Sequence, residues 1–332
     1  MTFGRTKRFA AIALVTVSFS AASQSPTGGS PAPIKVAVFP VLSTLPFAIA
    51  DQGGFFAKHN LQIVRISVSS GPALVAATVS GSTDVGFAVP SSGVPVLRIS
   101  DKVTVLDDVA VLTDVRLVVA ARRVTPQMKE PFPANIRALK GLKIGVAALG
   151  GGTQTATLDA MKAAGLKPTD VTFIGVGGGP SRVAALSHGD VDGIVADPAA
   201  VLSVKAGGID TVEVVNYSSK GSIGTSAPDA LMSFDIANTA FQKKFPNELG
   251  RYCAAMKEAR TWSLDPANLG KVAAILAKYL GIPRVEDAQA VWLATQKTVM
   301  SGMPENLWNS QPEWAIGGGP PPPYARSVSR CG

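Results

Sequence analysis

The sequence repeats itself at a fixed offset of 108 residues, and this repeat limits the fold more than any other feature. The dipeptide Gly71-Pro72 returns as Gly179-Pro180, and the register continues without a gap. The matched positions are Val75-Ala76-Ala77 with Val183-Ala184-Ala185, Gly81 with Gly189, Asp84 with Asp192, Ala88 with Ala196, and Pro90 with Pro198. Two copies of one folding unit are therefore predicted.

Each copy predicts the order strand, helix, strand, helix, strand. The first copy places strands at residues 36–39, 63–66 and 85–89, and helices at 46–58 and 73–80. The second copy places strands at residues 144–147, 171–174 and 193–196, and helices at 154–164 and 182–188. Because strands and helices alternate, parallel sheets are expected, and the fold class is α/β with two similar Rossmann-like lobes.

The remaining chain predicts how the lobes are connected. An apolar, β-branched stretch at 107–122 should carry one strand between the lobes, and 230–236 should carry the strand that returns to the first lobe. Helical patterns follow at 245–262, 266–280 and 285–299. The predicted organisation is a signal peptide at 1–23, a first lobe at 34–118 plus 227–303, a second lobe at 119–226, and a Gly/Pro-rich tail at 304–332.

The N-terminal segment has the pattern of a secretory signal peptide. Arg5, Lys7 and Arg8 precede an apolar run at 9–19 that is too short to span a bilayer, and small residues follow at 20–23. No cysteine lies near that point, so no lipid anchor is expected and the protein is predicted to be periplasmic.

The net charge gives no indication of a nucleic-acid partner. Removal of the leader, which carries three basic residues and no acid, lowers the formal charge from +8 to +5. No dense basic block remains, so no nucleic-acid partner is expected.

The two cysteines, Cys253 and Cys331, would reach an oxidising compartment after export. Their spacing leaves open either a disulfide that fixes the C-terminal tail or two unpaired thiols. Neither cysteine belongs to a cluster of metal ligands in the sequence.

Small and hydroxyl residues follow the predicted strands of both copies, where ligands bind in open parallel sheets. Ser and Thr hydroxyls and free N–H groups at helix N-termini can receive an anion or a carbonyl group, or can simply cap the helices. The candidate ligand-binding residues are Ser43, Thr44, Ser70, Gly71, Ser91, Ser92, Gly151, Gly152, Thr153, Gln154, Gly177 and Asp197. Asp197 is the one acid among them, and it could meet a ligand amine or cap the helix that begins at Pro198. These loops contain no Lys or Arg, so binding should depend on dipoles and hydrogen bonds.

Catalytic and metal-binding patterns are not found in the sequence. It contains only His59 and His188, and no cluster of His, Cys and acidic residues has metal-ligand spacing. The glycine run at 150–152 is not followed by the Gly-Lys-Ser/Thr of a phosphate loop, and no G-x-S-x-G elbow occurs. We therefore expect no catalytic residue, no metal and no cofactor, and we expect that the protein is not an enzyme.

Taken together, the motifs resemble the substrate-binding proteins of nitrate/sulfonate/taurine-type ABC importers. The matching segments are Pro46-Phe47-Ala48-Ile49-Ala50 with Gly54-Phe55-Phe56, Gly81-Ser82-Thr83-Asp84-Val85-Gly86-Phe87, Leu139-Lys140-Gly141-Leu142-Lys143-Ile144-Gly145-Val146, and Gly189-Asp190-Val191-Asp192-Gly193. They extend over about residues 34 to 300, and their order and spacing carry the resemblance.

The resemblance implies a type II periplasmic binding fold, in which two hinge strands join the lobes and a solute binds in the cleft between them. Its ligand-contacting loops fall on Ser43, Thr44, Ser70, Gly71, Ser91, Gly152, Thr153 and Asp197. A membrane permease of an ABC importer is the implied partner, and a monomer is expected. Many members carry Trp-x-x-Pro where this chain has Val195-Ala196-Asp197-Pro198, so the missing aromatic residue puts a planar or cyclic solute in doubt.

Two other functions are compatible with the same fold. One is an enzyme that acts on a small aromatic or pyrimidine precursor, although a related fungal group uses its own histidine for this chemistry and histidines are scarce here. The other is a ligand sensor that docks on a membrane kinase. The sequence leaves the solute open among a sulfonate, nitrate, a carboxylate and similar small molecules.

Overall fold

A computed structural model describes Met1 and residues 32–111, 115–217, 219, 233–296, 299–300, 305, 309 and 328–329. At residues 90–91, 107–111, 299–300 and 328–329 only the backbone is described. The predicted signal peptide and most of the predicted tail lie outside these residues.

The first sheet has the strand order β2-β1-β3-β10-β4-β11, with β12 also paired to β4. Its strands are β1 (Ile34–Val38), β2 (Ile63–Ser67), β3 (Val85–Ala88), β4 (Val103–Val111), β10 (Ser233–Asn238), β11 (Val299–Met300) and β12 (Val328–Ser329). The pairs β1–β2 and β1–β3 are parallel, whereas β10 lies antiparallel between β3 and β4. The helices of this part before β4 are α1 (Leu45–Gln52), α2 (Phe55–Lys58), α3 (Gly71–Ser80) and α4 (Pro90–Ile99).

The second sheet has the strand order β7-β6-β8-β5-β9. Its strands are β5 (Arg116–Ala120), β6 (Lys143–Val146), β7 (Thr172–Gly175), β8 (Gly193–Ala196) and β9 (Thr211–Asn216), and its helices are α5 (Ala134–Arg137), α6 (Gly152–Ala163), α7 (Gly179–His188) and α8 (Pro198–Ala206). Here β5 lies antiparallel between β8 and β9, in the place that β10 takes in the first sheet. Each sheet is thus completed by a strand that arrives from the other half of the chain.

The structure reproduces the sequence repeat element by element. The offset of 108 residues carries α3 onto α7 and β3 onto β8 at both ends, and it carries the starts of α4 and β4 onto those of α8 and β9. Helices α3 and α7 both end at a left-handed glycine, Gly81 with φ 78° and Gly189 with φ 81°. The repeat therefore encodes two α/β lobes.

The repeated aspartates Asp84 and Asp192 join the first and third strands of each lobe. The carboxylate of Asp84 accepts the Lys35 N–H at 2.8 Å, and that of Asp192 accepts the Lys143 N–H at 2.9 Å. In return, the N–H of each aspartate donates to the carbonyl oxygen of the same lysine at 2.8 Å. This reciprocal pair of bonds gives a physical reason for aspartate at this place in both copies.

Two predictions about elements need correction. The stretch 107–122 was expected to carry one strand, but it contains the end of β4 and all of β5, which belong to different sheets. The stretch 46–58 was expected to form one helix, but α1 and α2 are separate. Gly54 adopts a φ of 80°, and a side chain on Gly53 would stand 2.5 Å from the Ile49 carbonyl oxygen, so the chain turns here.

The largest core cluster packs α1 and α2 against three C-terminal helices, α10 (Pro246–Leu264), α11 (Leu269–Leu280) and α12 (Val285–Thr295), with α9 (Thr239–Lys244) preceding them. Tyr252, Trp292 and Cys253 are buried within it. Cys253 is disulfide-bonded, and the sequence contains one other cysteine, Cys331, which lies outside the described residues. Within the described part of the chain, no helix is long and apolar enough to span a membrane.

Candidate functional site

The two lobes touch at the carboxyl ends of their parallel strands. The Cα of Gly152, at the start of α6, faces Val89, since a Cβ built there would lie 3.4 Å from the Val89 side chain. In the same way, a Cβ on Gly178 would lie 3.1 Å from the carbonyl oxygen of Pro40. Ala147 of the second lobe packs against a core cluster of the first lobe that contains Phe39. The candidate loops of both lobes therefore form the two sides of one interface.

A second contact joins the lobes behind this interface. Ala199 of α8 belongs to the core cluster that α12 helps to form, and Leu202 packs against that cluster. Gly281, which ends α11, stands close to Pro180 of α7, because a Cβ there would lie 3.2 Å from the proline ring. The C-terminal helices thus support the second lobe as well as the first.

In the first lobe, most described candidate hydroxyls bind the loop or helix to which they belong. Thr44 Oγ1 lies 2.9 Å from the Val41 carbonyl oxygen and 2.7 Å from the hydroxyl of Tyr279. Ser70 caps α3 by accepting the Ala73 N–H at 3.3 Å, and the Ser92 hydroxyl donates to the Val89 carbonyl at 3.2 Å. Ser43 is half-buried in the loop after β1, and a side chain at Gly71 would meet open space. Ser91 lies in α4, and its side chain is outside the described part.

In the second lobe, the loop after β6 uses its own side chains to hold its shape. Thr153 Oγ1 accepts the Ala147 N–H at 3.1 Å, and the side-chain oxygen of Gln154 accepts the Gly150 N–H at 2.6 Å. Gly151 is the N-cap residue of α6, and Gly177, with φ 87°, precedes the N-cap of α7. Thr153 and Gln154 thus position the first turn of α6.

Three helices begin at this interface without a side-chain cap. They are α4 after Val89, α6 after Gly151 and α7 after Gly178. The first N–H groups of an α-helix have no partner within the helix, and they carry the positive end of its dipole. One such helix start from the first lobe and two from the second therefore face the space where the lobes meet. Pro90 and Pro180 carry no N–H, and the N–H groups of Ser92 and Gln154 already bond backbone carbonyls, so the remaining N–H groups of these first turns are the donors.

Asp197, the acid among the candidate residues, is occupied by its own lobe. Its carboxylate accepts the Ala200 N–H at 2.9 Å, which caps α8. It also pairs with Arg182 at 3.2 Å, and that guanidinium donates to the Val195 carbonyl as well. The side chain of Arg182 is only 2% exposed. The sequence leaves open whether Asp197 meets a ligand amine or caps α8, and in the structure it caps α8.

Sequence reasoning missed Arg182 because it lies inside α7 and not in a loop. Its position, fifteen residues before Asp197 in the chain, gives no local pattern that predicts the pair. Only the close packing of α7 against the end of β8 brings the two side chains together.

The sequence also missed a small cavity at the base of the loop after β1. Ser43, Thr44, Asp235 of β10 and Tyr252 of α10 are among the residues that line it. The Tyr252 hydroxyl lies 3.4 Å from the Asp235 carboxylate. Nearby, burial raises the pKa of Tyr279 to about 12, and the negative charges of Asp51 and Asp235 add to this effect. The cavity joins residues from β1, α1, β3, β10 and α10.

The described residues contain no group of three or more His, Cys, Asp or Glu side chains placed to hold a metal ion. His59 lies 2.8 Å from Glu258 on the side of α2, and His188 lies in the last turn of α7, where it is exposed.

Comparison with solved structures shows that the α/β two-lobed fold predicted from the repeat is correct. A protein from Bordetella bronchiseptica RB50 matches with a TM-score of 0.74 at 22% identity, over 91% of this chain and 95% of that chain. The alkanesulfonate-binding protein SsuA from Xanthomonas axonopodis pv. citri matches with a TM-score of 0.69 at 16% identity, over 91% and 100%. The periplasmic nitrate-binding protein NrtA from Synechocystis PCC 6803 matches with a TM-score of 0.60 at 16% identity, over 77% and 68%.

These identities are low, so the likeness establishes the fold, which is the one that the resemblance to ABC substrate-binding proteins implied. Among curated proteins, the sequence comparison finds no match. A family model, in contrast, matches residues 27–277, which is most of the chain and includes both copies of the repeat. The chain belongs to the NMT1-like family.

Proposed function

We propose that this protein is an extracytoplasmic solute-binding protein, which captures a small polar or anionic molecule between its lobes and delivers it to an ABC importer. One observation carries the proposal: the carboxyl ends of the parallel strands of both lobes meet, and three helix starts without side-chain caps lie there. Ligands of open α/β sheets bind at this edge, and helix N-termini favour negatively charged or carbonyl groups.

The solved relatives support this role. The Xanthomonas protein of the same fold is an alkanesulfonate-binding protein bound to MOPS, and the Synechocystis protein is a nitrate-binding protein. An anionic group of the solute would face the starts of α6 and α7, where Thr153 and Gln154 hold the first turn in place. The predicted signal peptide supports a location outside the cytoplasm, where such receptors meet their permease.

The protein would bind its solute without chemical turnover. The carboxylate of Asp197 is engaged by Arg182 and by the N-terminus of α8, and in the described residues neither histidine lies in the candidate loops. Binding would instead select the arrangement in which the lobes are together, as in other two-lobed receptors. The importer would then recognise that arrangement.

The test is the thermal stability of the mature protein against a panel of solutes that includes alkanesulfonates, nitrate, aromatic carboxylates, pyrimidines and amino acids. A ligand at about 100 times its dissociation constant should stabilise the fold by about 2.7 kcal/mol, which is easily measured. A selective shift without conversion of the ligand supports the receptor function. Turnover of a solute, or no shift with protein shown to be free of carried-over ligand, would contradict it.

A further inference from the structure

We infer that Tyr217 is a positioning residue for solute binding, which acts through the hydroxyl of Thr157 to fix the first turn of α6. This inference rests on the proposed function, in which an anionic or polar group of the solute faces that turn. Tyr217 directly follows β9 and lies outside the candidate loops, so the pattern of strands and helix starts does not identify it.

A chain of hydrogen bonds leads from Tyr217 to the loop after β6. The Tyr217 and Thr157 hydroxyls are 2.9 Å apart, and the Thr157 hydroxyl donates to the Thr153 carbonyl at 3.0 Å. Because a threonine hydroxyl has a single hydrogen, Tyr217 is the donor between the two hydroxyls. The hydroxyl of Thr153 accepts the Ala147 N–H at 3.1 Å, so the chain of bonds reaches both ends of the loop.

The tyrosine end of this chain is itself held in place. Tyr217 is 8% exposed and Thr157 is fully buried, so the bond between them lies away from bulk water. The Tyr217 N–H donates to the Val115 carbonyl at 2.8 Å, which continues the pairing of β9 with β5. Burial raises the pKa of Tyr217, so its hydroxyl keeps the proton that it donates. The tyrosine therefore joins the edge of the second sheet to α6.

Stability alone does not explain a buried polar pair at this place. The positions 108 residues earlier, in the first copy of the repeat, are Ile49 and Val109, which have no hydroxyl group. Two buried hydroxyls contribute little more to stability than apolar groups of the same shape, but they are directional and specify one arrangement of the segments that they join. This directionality is what positioning requires.

The first turn of α6 needs such support. Gly150, Gly151 and Gly152 lead into it, and glycine leaves the backbone more conformational freedom than any other residue. If the turn were mobile, the solute would have to order it, and the entropy lost would reduce the affinity. A turn that is already fixed presents its remaining N–H groups to the solute without this cost.

The experiment removes both hydroxyls and keeps the side-chain volume. The double variant Tyr217→Phe/Thr157→Val strands no buried donor, so its urea midpoint should stay close to that of the wild type. The probes are ethanesulfonate, nitrate, benzoate, cytosine and glycine, measured by titration calorimetry. The probe that binds the wild type most tightly should bind the double variant at least about fivefold more weakly. Tyr217→Phe alone should show the same loss, because the bond needs both hydroxyls.

A second buried hydroxyl pair provides the matched control. The Thr78 and Thr83 hydroxyls are 3.1 Å apart, and Thr78 also donates to the Leu74 carbonyl, one helical turn earlier. Thr83 precedes β3, so this pair lies at the end of the strands away from the other lobe. Thr78→Val/Thr83→Val should therefore keep the wild-type affinity for the same probe.

Amide hydrogen exchange without solute gives a second measurement. In the double variant Tyr217→Phe/Thr157→Val, residues 147–155 should exchange at least about tenfold faster than in the wild type, because the first turn of α6 opens more often. Strands β5 and β9 should exchange at the wild-type rate. This readout separates a loosened turn from a general loss of stability.

Each result decides the inference. Wild-type affinity in the double variant, or unchanged exchange at residues 147–155, overturns it and leaves the receptor function intact. An equal loss of affinity in the control variant also overturns it, because the effect would then be general destabilisation. If the double variant does not fold, the same two measurements on Tyr217→Phe decide. If no probe binds the wild type, the proposed function fails and this inference fails with it.

Discussion

At the scale of single residues, the ion pair between Arg182 and Asp197 ties α7 to the start of α8. The guanidinium is buried, and it bonds both the carboxylate and the Val195 carbonyl. Removing one partner of a buried pair leaves the other charge without compensation, which usually costs several kcal/mol. The pair should therefore matter for the stability of the second lobe even if no ligand touches it.

We predict that Arg182→Met lowers the free energy of unfolding by about 3 kcal/mol, measured by urea denaturation near neutral pH. The matched control is Arg284→Met, which breaks the exposed pairs with Glu286 and Asp287 and should cost less than about 1 kcal/mol. Adding Asp197→Asn to Arg182→Met should recover part of the loss, because the stranded charge is removed. Similar costs for the two single arginine variants would contradict a structural role for the buried pair.

At the scale of elements, the short helix α2 is tied to α10 by charged side chains. Glu258 of α10 pairs with Lys58 and lies 2.8 Å from His59 Nε2, both on or next to α2. Hydrogen bonds from Lys58 and then from His59 hold the pKa of Glu258 below its usual range. The folded state therefore prefers the ionised carboxylate.

We predict that Glu258→Gln lowers the thermal midpoint modestly at neutral pH and that the difference disappears in acid. Because the pKa is lowered on folding, the stabilisation is complete above the ordinary glutamate pKa of about 4.3 and is lost as the pH falls below it. Melting curves from about pH 7 to about pH 3 measure this. Glu286→Gln, at a side chain 76% exposed, should show little difference at any pH. A constant gap between wild type and Glu258→Gln would contradict the pKa assignment.

The elements also show what the sequence could predict. Helices α3 and α7 and strands β3 and β8 follow from the repeat because proline near the start and glycine at the end mark each helix locally. The break between β4 and β5 was missed, because the polar pair Thr113-Asp114 that separates them in the sequence does not show that the two strands join different sheets.

The same limit applies to the candidate site. The loops at its edge follow from the strand pattern, so Ser43, Gly152 and Thr153 could be named from the sequence. Arg182 and the cavity beside the loop after β1 could not, because Arg182 lies inside a helix and the cavity is formed by segments that are far apart in the chain. Both depend on contacts between segments that only the fold brings together.

At the scale of the whole molecule, the approach of the lobes depends on glycine at position 178. A Cβ there would lie 3.1 Å from the Pro40 carbonyl oxygen, a tight contact that would require one of the two segments to shift, whereas a Cβ on the neighbouring Gly179 would meet no atom within 4 Å. Comparing the same substitution at Gly178 and at Gly179 therefore separates an effect on the approach of the lobes from the effect of losing a glycine.

We predict that Gly178→Val weakens binding of any solute found by the panel at least about tenfold, because the valine forces the loop after β1 and the start of α7 apart. Gly179→Val should bind within a few fold of wild type. Titration calorimetry measures the affinity, and small-angle scattering with saturating solute should show a larger radius of gyration for Gly178→Val alone.

Because valine is a poor N-cap residue, urea denaturation must show that Gly178→Val is folded before its affinity is compared. Equal affinities for the two variants would mean that this contact between the lobes does not belong to the solute-bound arrangement, and the site would then have to lie within a single lobe.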